Sequence, residues 1–290
     1  MKAEIAIVIQ PRQSDLGGGL KVRRALPFAK KRMVGPFIFL DHMGPVELAK
    51  DQEMKVRAHP HIGLSTLTYL FQGELLHRDT LGTEQMIRPR EVNWMTAGKG
   101  IAHSETARDE KSSLILEGLQ AWIALPLSHE DAEPSFVHVD ASDIPEIMKG
   151  KAKYHLVAGS AFGKSSPVPV HSPLFYLCGE SLTDDPFSLE VPSGQEGGVY
   201  VSKGQIRVNG ETYDEGSLIV YTPGTPVIFE SLSGSRVAVI GGEIFPEKRI
   251  IWWNFVSSSQ EKIENAKKRW QEDGFGHVIH ETERIPLPAI

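Results

Sequence analysis

Short apolar runs alternate with turn residues through the first half of the chain. Between residues 35 and 125 they include Phe37-Ile38-Phe39-Leu40 and Leu67-Thr68-Tyr69-Leu70-Phe71, and glycines or prolines separate successive runs. Regularly spaced short strands with such breaks favour a β-sandwich or β-barrel over alternating strands and helices. The last strand of this series is predicted at residues 118–126.

The second half repeats this pattern. Its apolar runs lie at residues 154–159, 174–177, 198–201, 205–210, 217–221 and 236–240. Asn209-Gly210 lies between strand-like segments, and both residues tolerate the positive φ that a type I′ hairpin turn needs. The second half is therefore predicted to be β-rich as well.

A helix is predicted near the C-terminus. Ile263, Ala266 and Trp270 recur at helical spacing, a serine at position 258 or 259 can cap the first turn, and Gly274 follows the last turn. This amphipathic pattern predicts a helix that packs one face onto a barrel.

A charged segment closed by proline, Ser128 to Pro134, separates the two β-rich halves. At 290 residues and 40% hydrophobic content, the chain can bury two cores of ordinary size. We predict an all-β fold of two tandem β-barrels with a C-terminal helix. Residues 1–130 form the first barrel, and residues 131–290 form the second barrel and the helical tail.

Charge and composition exclude several classes of function. The net charge is −6 and the pI is near 6.0. The sequence has no basic stripe of the kind that would predict direct nucleic-acid binding. The N-terminal apolar run is too short for a secretion signal, and no apolar stretch approaches the roughly 20 residues that cross a bilayer. The single cysteine, Cys178, is interpreted as a small buried hydrophobe. The default expectation is a cytoplasmic monomer.

Two close pairs of candidate metal ligands lie within the strand pattern of the first half. They are His59-Pro60-His61 and, about forty residues later, His103-Ser104-Glu105. Residues i and i+2 of a strand point to the same side, so each pair can direct both side chains into one barrel. The pattern predicts a mononuclear metal site of His59, His61, His103 and Glu105.

A single His-x-His pair is weak support for a metal site. The 11 histidines among 290 residues would supply roughly 0.4 such pairs by chance. The second pair, and the residues that surround both pairs, therefore matter more than either motif alone.

The sequence around the two pairs resembles the cupin superfamily, and the pirin family in particular. His59-Pro60-His61 precedes Gly73, and Trp94-Met95-Thr96-Ala97-Gly98-Lys99-Gly100-Ile101-Ala102 leads directly into His103-Ser104-Glu105. Gly98 stands where the superfamily usually has proline, and no glutamate follows the first pair at the usual ligand position. The resemblance is dense over about residues 35–126, and it assigns the carboxylate ligand to Glu105.

The resemblance implies a bicupin with one metal ion, usually iron, in the N-terminal barrel. It also implies a C-terminal barrel that has lost its ligands. The second half agrees with that implication, since Glu190, Pro192 and Val227 stand at the places of the ligand histidines. The implied reaction is quercetin 2,3-dioxygenation, in which a flavonol loses its 3-hydroxyl proton, reacts with O₂, opens its central ring and releases carbon monoxide.

Three imidazoles and one carboxylate leave two open positions on an octahedral ion. That number suits Fe(II), which can meet both a small aromatic substrate and O₂, although copper, nickel, cobalt and manganese remain open. A structural zinc site would use four ligands and would prefer thiolates. Glu105 is expected to act in catalysis, either as a permanent ligand or as the base that takes the flavonol proton.

An alternative hypothesis belongs to a different class of function. By resemblance, the same four ligands also suit an iron-binding, redox-responsive regulatory protein that binds a protein partner. A sugar isomerase or epimerase is less well supported, because nothing in the sequence predicts a polar sugar pocket. His77-Arg78-Asp79 could flank the site, but a hairpin rim with solvated charges is the favoured interpretation, and these residues stay outside the predicted site.

Overall fold

The computed structural model describes residues 2–15, 21–50, 52–108 and 114–289. The strands of the first half are β1 (Ile5–Ile9), β2 (Arg12–Asp15), β3 (Lys21–Leu26), β4 (Phe37–Leu48), β5 (Glu53–His61), β6 (Leu64–Gln72), β7 (Leu75–Asp79), β8 (Glu84–Ile87), β9 (Val92–Thr96), β10 (Ile101–Arg108), β11 (Leu114–Ala124) and β12 (Ser135–Val139). The strands of the second half are β13 (Glu146–Lys149), β14 (Ala152–Ala161), β15 (Lys164–Ser165), β16 (Leu174–Glu180), β17 (Asp185–Leu189), β18 (Gln195–Lys203), β19 (Gln205–Val208), β20 (Glu211–Asp214), β21 (Leu218–Tyr221), β22 (Val227–Ser231), β23 (Arg236–Glu243), β24 (Ile250–Trp252) and β25 (Phe255–Ser257). The helical elements are a 3₁₀ turn at Leu127–His129 and α1 (Gln260–Gln271). The prediction of a β-rich chain with a C-terminal helix is confirmed.

The chain divides into two compact units that are not continuous in sequence. Unit 1 comprises Met1–Gln13, Arg23–His42 and Val139–Phe245, and unit 2 comprises Ser14–Val22, Met43–His138 and Pro246–Ile290. Strand β1 belongs to unit 1, and helix α1 belongs to unit 2. The domain boundaries at 1–130 and 131–290 stay a prediction.

Unit 1 contains two antiparallel sheets around an apolar core. The larger sheet has the order β1-β21-β18-β23-β16-β14-β13 with β15 beside β14, and the smaller has the order β17-β22-β19-β20. Phe187 and Phe229 stack across β17 and β22, with ring centroids 4.7 Å apart. Asn209 and Gly210 both have positive φ, at 53° and 86°. The hairpin turn predicted at these two residues is confirmed between β19 and β20.

Unit 2 contains the four-stranded sheet β5-β10-β7-β8, which we call the histidine sheet. A second, seven-stranded sheet has the order β12-β9-β6-β11-β4-β3-β2, and its strands β6, β9 and β11 lie in unit 2. Met54 and Leu75 of the histidine sheet share a buried cluster with Leu70 and Leu116 of the other sheet. This core holds the inner face of the histidine sheet in a barrel interior.

Helix α1 packs within unit 2 through the face that its sequence predicts. Ile263, Ala266 and Trp270 are buried with Ala58 and Phe255, and these residues form one cluster. The residue before the helix is Ser259, and the helix ends three residues before Gly274. Within the described residues, no helix has the length and apolar character that crossing a bilayer requires.

Candidate metal centre

The two ligand pairs meet because β5 and β10 are antiparallel neighbours. The register places His103 opposite His59, and Ile101 opposite His61. Side chains that lie opposite each other on neighbouring strands have Cβ atoms about 5 Å apart. Side chains alternate between the two faces along each strand, and this alternation together with the register brings the three histidines to one point.

The three imidazoles are in contact with one another and closed to solvent. The Nε2 atoms of His61 and His103 are 3.0 Å apart, and the ring centroids of His59 and His103 are 4.4 Å apart. One ligand nitrogen from each of the three rings lies within 4.8 Å of the other two. His59 is 7% exposed, His61 is fully buried and His103 is 1% exposed. A buried trio of imidazoles in this arrangement can hold a metal ion.

Backbone carbonyls fix the protonation of two of the rings. Nδ1 of His59 lies 2.8 Å from the carbonyl oxygen of Arg57, and Nδ1 of His61 lies 3.2 Å from that of Asn254. A carbonyl oxygen can only accept, so both Nδ1 atoms donate and both Nε2 atoms keep a free lone pair. Such outer partners are what ligand histidines normally have.

Burial keeps the three rings neutral. Loss of water lowers the pKa of His59 to about 4. The hydrogen bond to the Arg57 carbonyl raises this pKa by a smaller amount, and His77 lowers it further. The same loss of water, followed by repulsion from His59, lowers the pKa of His61 and of His103 well below the usual value. Three neutral imidazole nitrogens that converge within 4.8 Å are a ligand set that divalent transition metals accept, so the donor set fits a divalent metal ion.

Glu105 faces the same side of β10 as His103 but lies outside this close trio. A register shift on β5 places Glu105 opposite Val56, so β5 offers it no histidine neighbour. The Thr68 hydroxyl and the Gln120 amide are each 3.5 Å from its Oε1 atom, at the limit of a hydrogen bond. Loss of water raises the pKa of Glu105, and the nearby His77 and these two contacts lower it to a smaller extent. Its role as a ligand stays a prediction.

Two buried residues were missed by the sequence interpretation. The assignment of His77 and Asp79 to a solvated rim is wrong, because they are 4% and 0% exposed. They alternate along β7 and lie opposite Glu105 and His103 of β10. The His77 ring stacks on Phe136 with centroids 4.6 Å apart. The i, i+2 spacing of His77 and Asp79 on a strand was the sequence signal that indicated a shared face.

In unit 1, the positions that correspond to cupin ligands have other roles. Val227 is fully buried in the apolar core, and Glu190 is exposed. His42 of the same unit is buried, with Nδ1 3.1 Å from the Tyr200 hydroxyl. Val227 and His42 are therefore part of the interior of unit 1, whereas Glu190 lies at its surface.

Comparison with known proteins agrees with this architecture. The pirin family model matches residues 19–123, and the model of the pirin C-terminal cupin domain matches residues 182–276. A pirin-like protein of Caulobacter vibrioides is 45% identical over 292 residues, which cover 98% of this chain and 99% of that protein. These matches cover most of the chain.

Solved structures show the same fold. A quercetin 2,3-dioxygenase from Acinetobacter baumannii superposes with a TM-score of 0.91 at 34% identity, and the match covers 98% of this chain and 95% of that one. The bacterial pirin YhhW from Escherichia coli, in complex with nickel(II), has a TM-score of 0.65 at 17% identity over 82% of this chain and 99% of that one, which shows the fold alone. Both halves of the sequence and the whole fold thus agree, and the chain belongs to the pirin family.

Proposed function

We propose that this protein is a metal-dependent dioxygenase that opens the central ring of flavonol-like aromatics with O₂. The observation that carries the proposal is the convergence of three buried, neutral imidazoles whose free nitrogens face one another. The similarity to a quercetin 2,3-dioxygenase over nearly the whole chain supports the reaction class.

His59, His61 and His103 would hold the ion, with Glu105 as a fourth ligand or as a base beside it. When bound, an Fe(II) ion supplies a redox-active Lewis acid with positions open to substrate and O₂. Trp122 contacts the His61 ring with centroids 5.1 Å apart. This contact gives the centre one aromatic neighbour, and Phe136 stacks on the adjacent His77 ring; aromatic side chains of this kind suit a flat aromatic substrate.

The position of Glu105 supports a role as the general base. It lies on the same face of β10 as His103, and its two polar contacts are long enough to break without large cost. In the proposed reaction its carboxylate accepts the proton of the flavonol 3-hydroxyl, which leaves the electron pair on that oxygen, and later returns the proton to the product. A base placed in this way contributes about 10²–10⁴-fold to a rate.

The test is the turnover of quercetin by protein loaded with Fe(II). Oxygen uptake, loss of the flavonol absorbance band and release of carbon monoxide should occur together in the wild type and vanish in His61→Ala. His277→Ala is the matched control, because His277 is exposed and lies outside the centre. If the wild type binds one metal ion yet turns over no faster than His61→Ala, the dioxygenase proposal fails and redox-dependent binding of a protein partner becomes the hypothesis to test.

Glu105→Gln separates the two roles of the carboxylate. This variant keeps the shape and both hydrogen-bond contacts but removes the charge. If Glu105 is only a base, turnover falls by about 10²–10⁴-fold and metal affinity is retained. If Glu105 is a ligand, the affinity for the metal, measured by calorimetric titration, falls as well.

A further inference from the structure

His103 differs from the other two histidines of the centre in the partner of its outer nitrogen. His59 and His61 each face a backbone carbonyl, which no side-chain substitution removes. Nδ1 of His103 faces Nδ1 of His77 at 3.3 Å, and Nε2 of His77 lies 3.1 Å from Oδ2 of Asp79. A chain of three side chains therefore leads from a carboxylate to the centre.

When His103 binds a metal, the hydrogen bonds from His103 through His77 to Asp79 can be donated in one direction only. Asp79 accepts the backbone N–H groups of Leu81 and Thr83 through Oδ1, at 2.8 and 3.0 Å, as an ionised carboxylate does. A carboxylate only accepts, so Nε2 of His77 must donate to Oδ2. A neutral His77 then has its lone pair on Nδ1 and can only accept from Nδ1 of His103. Nε2 of His103 is left with a free lone pair at the centre.

The opposite direction is incompatible with a metal site. If Nδ1 of His77 donated, His103 would have to accept at Nδ1 and would carry its proton on Nε2. That proton would point at Nε2 of His61, only 3.0 Å away, where the ion belongs. His77 and Asp79 are buried, and Phe136 stacks on the His77 ring, so these side chains are held in place beside His103.

We infer that His77, oriented by Asp79, is the positioning residue that fixes the tautomer and ring orientation of His103. The inference rests on the proposed function, because it requires His103 to be a metal ligand. Removal of outer partners of ligand histidines typically weakens metal binding by about 10–100-fold. Of the three histidines, His103 is the one whose outer partner is a side chain, so substitution of His77 can test this role directly.

The test compares two substitutions of His77 in the full-length protein. His77→Asn places a side-chain oxygen close to the former Nδ1 position and should bind Ni(II) within a few-fold of wild type. His77→Leu removes the acceptor and should bind Ni(II) about 10–100-fold more weakly in calorimetric titration. Arg78→Gln is the matched control, because this neighbour on β7 points to the opposite face, and it should leave the affinity unchanged.

Long-range ¹H–¹⁵N spectra of the imidazoles give a readout that a general loss of packing does not imitate. In the metal-free wild type and in His77→Asn, His103 should be protonated at Nδ1, whereas His77→Leu should show a mixture of tautomers. Wild-type affinity and an unchanged His103 tautomer in His77→Leu would overturn the inference, provided that His103→Ala loses the metal. If His103→Ala keeps full Ni(II) affinity, the proposed metal centre itself is wrong.

Discussion

Gly98 shows at the scale of one residue why this chain departs from the usual cupin motif. Its φ is 48°, which proline cannot adopt because its ring fixes φ near −65°. A Cβ atom at this position would lie 1.9 Å from the carbonyl oxygen of Ala132. That oxygen accepts the N–H of Lys99 at 2.9 Å, so the close approach is part of the turn that leads into β10.

Gly98→Ala should therefore be strongly destabilising. We expect a loss of about 3–5 kcal/mol in the free energy of unfolding, from a left-handed φ and from a clash that only backbone movement relieves. Gly210→Ala is the control, because its φ is 86° but nothing lies within 4 Å of the added atom. It should cost about 1–2 kcal/mol. Equal losses for the two variants in urea unfolding would contradict the assigned clash.

Cys178 gives a prediction about chemical reactivity. The thiol is 3% exposed, and burial raises the pKa of Cys178, with a smaller opposing effect from Tyr176. The thiolate is the reactive form, so a raised pKa means that almost none is present at pH 8. Native protein should resist a thiol reagent at that pH, and protein unfolded in urea, where the pKa returns to about 8.5, should react at once. Rapid reaction of the native protein would show that the strand carrying Cys178 opens readily.

At the scale of elements, the C-terminal segment that contains Glu281 and Arg284 packs against the outer face of the histidine sheet. Ala58, which directly precedes His59, pairs with Arg284. Glu281, whose side chain is 2% exposed, accepts the Ser104 hydroxyl at 3.0 Å and lies 2.7 Å from the Lys55 ammonium. Ser104 lies between His103 and Glu105, so the segment contacts β10 directly behind the centre.

Glu281→Ala should destabilise unit 2 more than a change at the surface of the same segment. It leaves the Lys55 charge and the Ser104 hydroxyl without their partner, and because Lys55 is partly exposed we expect a cost of about 1–3 kcal/mol. Glu283→Ala is the control, since Glu283 is 70% exposed and 3.7 Å from Arg57, and it should change stability by less than about 1 kcal/mol. The measurement is urea unfolding, and indistinguishable midpoints would show that the ion pair contributes nothing.

The sequence predicted the elements whose signals are local. Strand alternation and the turn at Asn209-Gly210 were readable because each depends on a few neighbouring residues. The convergence of His59 and His103 was predictable from two short motifs in strands. The i, i+2 spacing of His77 and Asp79 indicated only that they share a face. The burial of that face, like the pairing of Arg284 with Ala58, depends on contacts between segments far apart in the chain.

At the scale of the whole molecule, the distribution of tryptophan separates the two units. All five tryptophans lie in unit 2: Trp94, Trp122, Trp252, Trp253 and Trp270. The three candidate histidines also belong to unit 2, whereas Cys178 belongs to unit 1. Tryptophan fluorescence thus reports the unfolding of the unit that holds the metal centre, and the reactivity of Cys178 reports the unfolding of the other.

Metal binding should stabilise the unit that fluorescence reports. A ligand that binds only the folded state adds about 2.7 kcal/mol when its free concentration is 100 times Kd. For a unit of this size each kcal/mol raises Tm by about 2–4 °C, so Ni(II) should raise the fluorescence midpoint of the metal-free protein by about 5–10 °C. The same addition to His61→Ala should leave the midpoint unchanged, while His277→Ala should respond like the wild type. A wild type that binds Ni(II) without any shift in fluorescence, or a His61→Ala variant that shifts equally, would place the ion away from the three histidines. Labelling of Cys178 in the same experiment then shows whether the stabilisation reaches unit 1, because a shared shift requires the two units to unfold as one cooperative body.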